Sequence, residues 1–112
     1  MKNDALSIAD GQIEEFSYHA GGALTVRLQL DGQPFEIIFR HVLGIKAFSP
    51  EGEDLSHLAE RNTSPFLVEI CGILKEAIGH FKEFSFISAW TDESLLIVIA
   101  RSAEKGAIWD RV

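Results

Sequence analysis

Cysteine is the first scarcity: one residue, Cys71, in a chain of 112. No intramolecular disulfide can form, and a lone thiol in so short a chain fits a reducing compartment better than a secreted scaffold. Basic residues are also few. Ten Lys and Arg stand against seventeen Asp and Glu, a formal net charge of −7. Affinity for phosphate backbones comes largely from cationic side chains, so this balance argues against nucleic-acid binding. No apolar run approaches the roughly 18 residues of a membrane span, and the longest, Leu95 to Ala100, has the length of a strand. The opening residues Met1 to Ser7 lack the apolar core of a signal peptide. These features set the expectation of a cytoplasmic protein without membrane attachment. Internal repeats of 20–50 residues and collagen-like or low-complexity compositions are absent as well.

The motifs of common chemistries are missing too. His19, His41, His57 and His80 are scattered; no two have the spacing that sets adjacent imidazoles on one metal, and there is no Cys-x-x-Cys. Neither a Gly-x-Ser-x-Gly elbow nor a glycine-rich phosphate loop occurs. No metal, cofactor or catalytic residue is therefore assigned. One nucleophile reading remains as an alternative. Cys71 precedes Gly72 in an apolar stretch, and a helix opening there would stabilise its thiolate, with His80 as a base. The plainer reading of the same cysteine is a small buried hydrophobe.

What is present is an apolar fraction of 46%, enough for a domain core, arranged with period two. Ala23-Leu24-Thr25-Val26-Arg27-Leu28-Gln29-Leu30 alternates as a half-buried strand does. Asp31-Gly32 follows, the dipeptide of a type I′ hairpin turn, and Phe35 to Arg40 resumes the alternation. A two-residue loop pairs Leu28 with Phe35, Val26 with Ile37 and Leu24 with Phe39, and sets Arg27 against Glu36 on the other face. Before it, Gln12 to Tyr18 enters through Ala20-Gly21-Gly22. A three-residue loop there turns Phe16 and Tyr18 toward the apolar face. Past Arg40, Gly44 marks a bend in an edge strand. Ser49-Pro50 then resembles a helix start, predicting a loop with up to two helical turns through Leu55, Leu58 and Ala59. Residues 66–81 read two ways: one helix capped by Ser64 with Pro65 at its first position, or, slightly preferred, a strand over Phe66 to Ile70 and a short helix after Gly72. A second hairpin, with Asp92-Glu93 as its loop, pairs Trp90 with Leu95, Ser88 with Ile97 and Phe86 with Ile99, and lies centrally. Residues 102–112 form a flexible or docking tail carrying Ile108 and Trp109.

The expected fold is thus one α+β domain, 1–112, built on an antiparallel sheet of about six strands with one or two short helices. For function, the densest acids are the informative feature. Glu51, Glu53 and Asp54 crowd one loop beside the apolar Phe48, an arrangement that a basic protein surface would accept. These four residues are the candidate partner-binding site. The expected partner is a protein, a basic toxin among the options, or a second copy of the chain in a homodimer.

The run from Asp31-Gly32 through Phe35-x-Ile37-x-Phe39-x-x-Val42, the aromatic Phe48, the acidic loop and Val68-Glu69-Ile70-Cys71-x-Ile73-Leu74 resembles small uncharacterised bacterial proteins, some of which accompany secreted toxins as immunity proteins. The resemblance spans about residues 6 to 101 and rests mostly on core positions. It implies a β-rich, non-enzymatic protein.

Overall fold

The first hairpin forms as its turn demands. Asp31 and Gly32 take φ of 55° and 75°, the left-handed conformation that a type I′ turn needs at both positions. The strands beside it pair Leu30 with Gln33, Leu28 with Phe35, Val26 with Ile37 and Leu24 with Phe39. Arg27 lies against Glu36 at 3.4 Å and also reaches Glu15 at 2.7 Å.

The computed structural model describes residues 5–105. In chain order these form β1 (Ala5–Ser7), β2 (Gln12–His19), β3 (Ala23–Leu30), β4 (Gln33–Arg40), β5 (Gly44–Ala47), β6 (Leu55–Arg61), α1 (Pro65–Leu74), a 3-10 turn (Ile78–His80), β7 (Lys82–Ser88), β8 (Ser94–Ala100) and β9 (Ser102–Lys105). The strands make two antiparallel sheets, one of five in the order β1-β6-β7-β8-β5 and one of four in the order β2-β3-β4-β9. The expected class, mainly antiparallel sheet with a short helix, is what folds; the expected six strands are nine among the described residues.

The inner faces of the sheets meet in one core. Leu24, Val26, Leu28, Ile37 and Phe39 pack against Leu55, Leu58, Phe84, Phe86, Leu96 and Val98. The Phe39 ring lies 5.2 Å from that of Phe84 and 6.0 Å from that of Phe86, within the range where tilted and edge-on pairs attract. Burial of this apolar surface is the main stabilising term.

Several expectations are corrected. The segment after the acidic loop is strand β6 instead of helix. A bulge between Leu55 and His57 shifts the parity of the strand, so Leu55 and Leu58 both point inward. Their three-residue spacing reflects that bulge, not a helical turn. The same device acts in β2, where the register shifts between Ile13 and Glu15. Phe16 and Tyr18 take their expected partners Val26 and Leu24, but only Phe16 packs on the core; Tyr18 stays exposed.

Residues 65–74 are one helix, against the preferred strand reading. Ser64, extended at φ −166°, accepts the Leu67 N–H in its hydroxyl at 3.1 Å, Pro65 opens the helix, and Lys75 closes it in a left-handed conformation. Leu67 and Cys71 face inward with Phe66 and Ile70, forming a second small core with Phe81 and Ile99 on the outer face of the five-stranded sheet. Gly44 permits this approach: a Cβ there would lie 3.2 Å from Phe66 Cζ and 3.3 Å from Ile70.

The second hairpin is central, as expected, but its register differs. Phe86 pairs with Leu96 and Ile87 with Ser94, in place of the pairings of Phe86 with Ile99 and Trp90 with Leu95. The turn is wider because Ser88 organises it. Its hydroxyl accepts from the N–H groups of Trp90 and Thr91, and its own N–H donates to the Glu93 carbonyl. Hydroxyl-to-backbone bonds of this kind compete with a tight two-residue turn. Finally, residues 102–105 of the expected tail pair with β4 as an edge strand. Ile108 and Trp109 lie outside the described residues.

Candidate functional site

The acidic loop joins β5 to β6 and is fixed to both sheets. Ser49 and Gly52 adopt left-handed φ of 49° and 83°, and Pro50 is buried beneath them. Gly52 donates its N–H to the Ile13 carbonyl at 3.0 Å, and Ala89 donates to the Asp54 carbonyl at 2.9 Å. The side chains divide into two groups. Glu51 and Glu53 are exposed and, among the described residues, have no side-chain partner. Asp54 accepts from Gln12 Nε2 at 2.7 Å and from Trp90 Nε1 at 3.1 Å. Both bonds favour the ionised carboxylate, the Gln12 amide first, and hold its pKa below the usual aspartate value.

Trp90 is the residue that sequence reasoning missed. The wide turn lifts it off the sheet, where it is 77% exposed, while its bond to Asp54 fixes the indole. Phe48, also exposed, stands at the other end of the loop, its N–H donating to the Leu95 carbonyl. Two uncovered aromatic rings thus flank three carboxylates on a backbone tied down at several points. The Ser88-x-Trp90-Thr91-Asp92-Glu93 stretch, dense in short polar residues, is the signal that could have marked a broad turn.

Cys71 and His80 are placed differently from each other. Cys71 lies on the buried face of α1, with its thiol pushed up by burial and by the Glu76 charge, the environment of a packed and unreactive sulfur. His80 is exposed on the 3-10 turn, in a shallow hollow with Arg101. The inner face of the last hairpin is taken up by the core; besides Tyr18, Phe48 and Trp90, the exposed large apolar residues among those described sit on and after α1: Val68, Ile73, Leu74 and Ile78. No three His, Cys, Asp or Glu side chains among the described residues converge as a metal site would require. Among these residues, too, no helix is long and apolar enough to cross a membrane.

A second polar cluster was not legible in the sequence. Glu83 on β7 is buried, yet its Oε1 accepts a 2.6 Å bond from the Ser64 hydroxyl. Ser64 therefore serves twice, as helix cap and as donor to a buried carboxylate.

Fold and surface together define a two-sheet antiparallel protein with an acidic, aromatic-flanked loop. No known protein family, curated protein or solved structure matches the chain.

Proposed function

We propose that the protein is a non-catalytic binding domain whose docking surface is the 48–54 loop together with Trp90, and that its partner is a protein presenting a basic surface. An immunity-type inhibitor that covers a cationic toxin is the specific form of this reading. The observation that carries it is Trp90. A fully solvated tryptophan with a free rotamer gains nothing, whereas one held by Asp54 and 77% exposed is an ordered aromatic anchor, the residue type that dominates interface energetics. Ordering before association reduces the entropy lost on binding. Glu51, Glu53 and Asp54 add the field that steers a cationic partner.

The test places a photo-crosslinking side chain at Phe48 in cells of the source organism, then measures the captured partner by titration calorimetry. The expected result is a basic protein whose association weakens steeply with salt and is lost on reversing Glu51, Glu53 and Asp54 to Lys. A partner bound equally well by the reversed variant refutes the proposal.

A further inference from the structure

Helix α1 lies on the outer face of the five-stranded sheet over Gly44 and Ile99, with its cap Ser64 against Glu83 of β7. Among the described residues, the face over β6 and β7 stays open as a cleft of about 310 Å³. The strand register orders its floor. Arg61 stands opposite Glu83 at one end, Ala59 opposite Ser85 in the middle, and His57 opposite Ile87 beyond. The small pair in the middle makes the hollow.

The charged end is unevenly satisfied. Glu83 is 6% exposed and Ser85 5%. Glu83 Oε1 has its Ser64 bond, but among the described residues Oε2 has only the Ser85 hydroxyl at 3.4 Å and Arg61 Nη1 at 4.0 Å. Both are longer than good hydrogen bonds of these types, which run about 2.5–3.2 Å. A buried carboxylate oxygen left this way calls for a further donor. Arg61 is the reverse case. Its side chain is 64% exposed, and among the described residues its guanidinium has no partner but this long contact, so a fork suited to a carboxylate is unspent. An acceptor wanting a cationic donor and a donor wanting an anion therefore lie 4.0 Å apart at the mouth of a cleft with a small, partly apolar floor. A molecule with an ammonium and a carboxylate on one carbon matches both.

We propose that this cleft binds a free α-amino acid. The ammonium donates to Glu83 Oε2 and Ser85 Oγ, the carboxylate accepts from Arg61, and the side chain runs over Ala59 toward Ile87. This site is separate from the 48–54 surface.

The experiment screens the twenty amino acids singly, at millimolar concentration, by thermal shift on the full chain, and measures those that bind by titration calorimetry. The expected result is one or a few amino acids that bind, each weakened at least about tenfold as its carboxamide or its N-acetyl derivative, the loss of one hydrogen bond to a charged group. Arg61→Gln, an exposed position, weakens the acid by a similar factor but leaves the carboxamide unchanged, so that acid and amide bind this variant equally. Ser85→Ala weakens both. Glu51→Lys with Glu53→Lys, which affects the docking surface, leaves amino-acid binding intact. The proposal is overturned if no amino acid binds in the millimolar range, or if the wild-type protein binds acid and carboxamide alike.

Discussion

Replacing Ser64 by Asp separates the two duties of this residue. Asp and Ser are equally good helix caps, so a cap alone predicts no change in stability. The Ser64 hydroxyl, however, donates to Glu83 Oε1 at 2.6 Å in a buried site, and an aspartate there sets one carboxylate against another. Two unit charges about 4 Å apart repel by about 4 kcal/mol at an effective dielectric near 20, an amount limited in practice by proton uptake. Ser64→Ala gives the reference. It removes the cap, about 1 kcal/mol, and deprives a buried carboxylate of its donor, about 1–3 kcal/mol, for a total of about 2–4 kcal/mol. Ser64→Asp should cost at least as much at pH 7. Its deficit should then shrink on acidification. The shared site raises one carboxyl pKa above its unfolded value, so the native state binds the extra proton first and gains stability relative to wild type as pH falls from 7 toward 5. Urea unfolding followed by circular dichroism at each pH measures both effects. If Ser64→Asp is as stable as wild type at pH 7, Ser64 is a cap and nothing more.

Two further outcomes follow from the groups with displaced pKa values. The Cys71 thiol, raised by burial and by Glu76, should react with an aromatic disulfide reagent at least about tenfold more slowly in the native protein than in the urea-unfolded chain, because reaction needs local opening; equal rates would place the sulfur at the surface. In a Trp109→Phe background, Trp90 emission should titrate with a midpoint below the ordinary aspartate value of 3.8. The contribution of the Asp54 bond is present above the unfolded pKa and is lost as pH falls through the folded one. Asp54→Asn should abolish the transition, and a midpoint above 3.8 contradicts the bond.

Local rules made part of this structure legible. Asp31-Gly32 admits one turn type, and that turn fixes the register of every pair from Leu30–Gln33 to Leu24–Phe39. Where a side chain intervened, pattern failed. Ser88 widened a turn that Asp92-Glu93 alone would have made tight, and every pairing in the last hairpin moved with it. The bulge between Leu55 and His57 turned a strand into a helical spacing. Ser64-Pro65 signalled the helix, and the β-branched and aromatic run after it argued the other way; packing against Gly44 and Ile99 decided. For the surface, the exposure of Phe48, Glu51 and Glu53 was readable from the loop. The Asp54–Trp90 bond was not, since 36 residues separate its partners and no periodicity reports on such a contact. Glu83 was hidden for a similar reason: on a strand it reads as a solvent-facing residue until the position of Ser64 is known.

That long-range bond also determines how the docking proposal must be dissected. Gln12, on the four-stranded sheet, and Trp90, on a turn of the five-stranded sheet, both donate to the Asp54 carboxylate, and the loop backbone adds bonds to Ile13 and Ala89. Reversal of Glu51 and Glu53 changes the surface field and breaks no side-chain bond among the described residues. Reversal of Asp54 changes the field by half as much and also frees the indole. The two contributions can thus be read separately. If a cationic partner is drawn by charge, Glu51→Lys with Glu53→Lys slows association and flattens its salt dependence, with dissociation little changed. If the ordered indole is the anchor, Asp54→Asn speeds dissociation even though it alters the charge least. A partner indifferent to the first pair and sensitive to the second is reading an aromatic surface, and the acid excess of the chain then has no part in recognition.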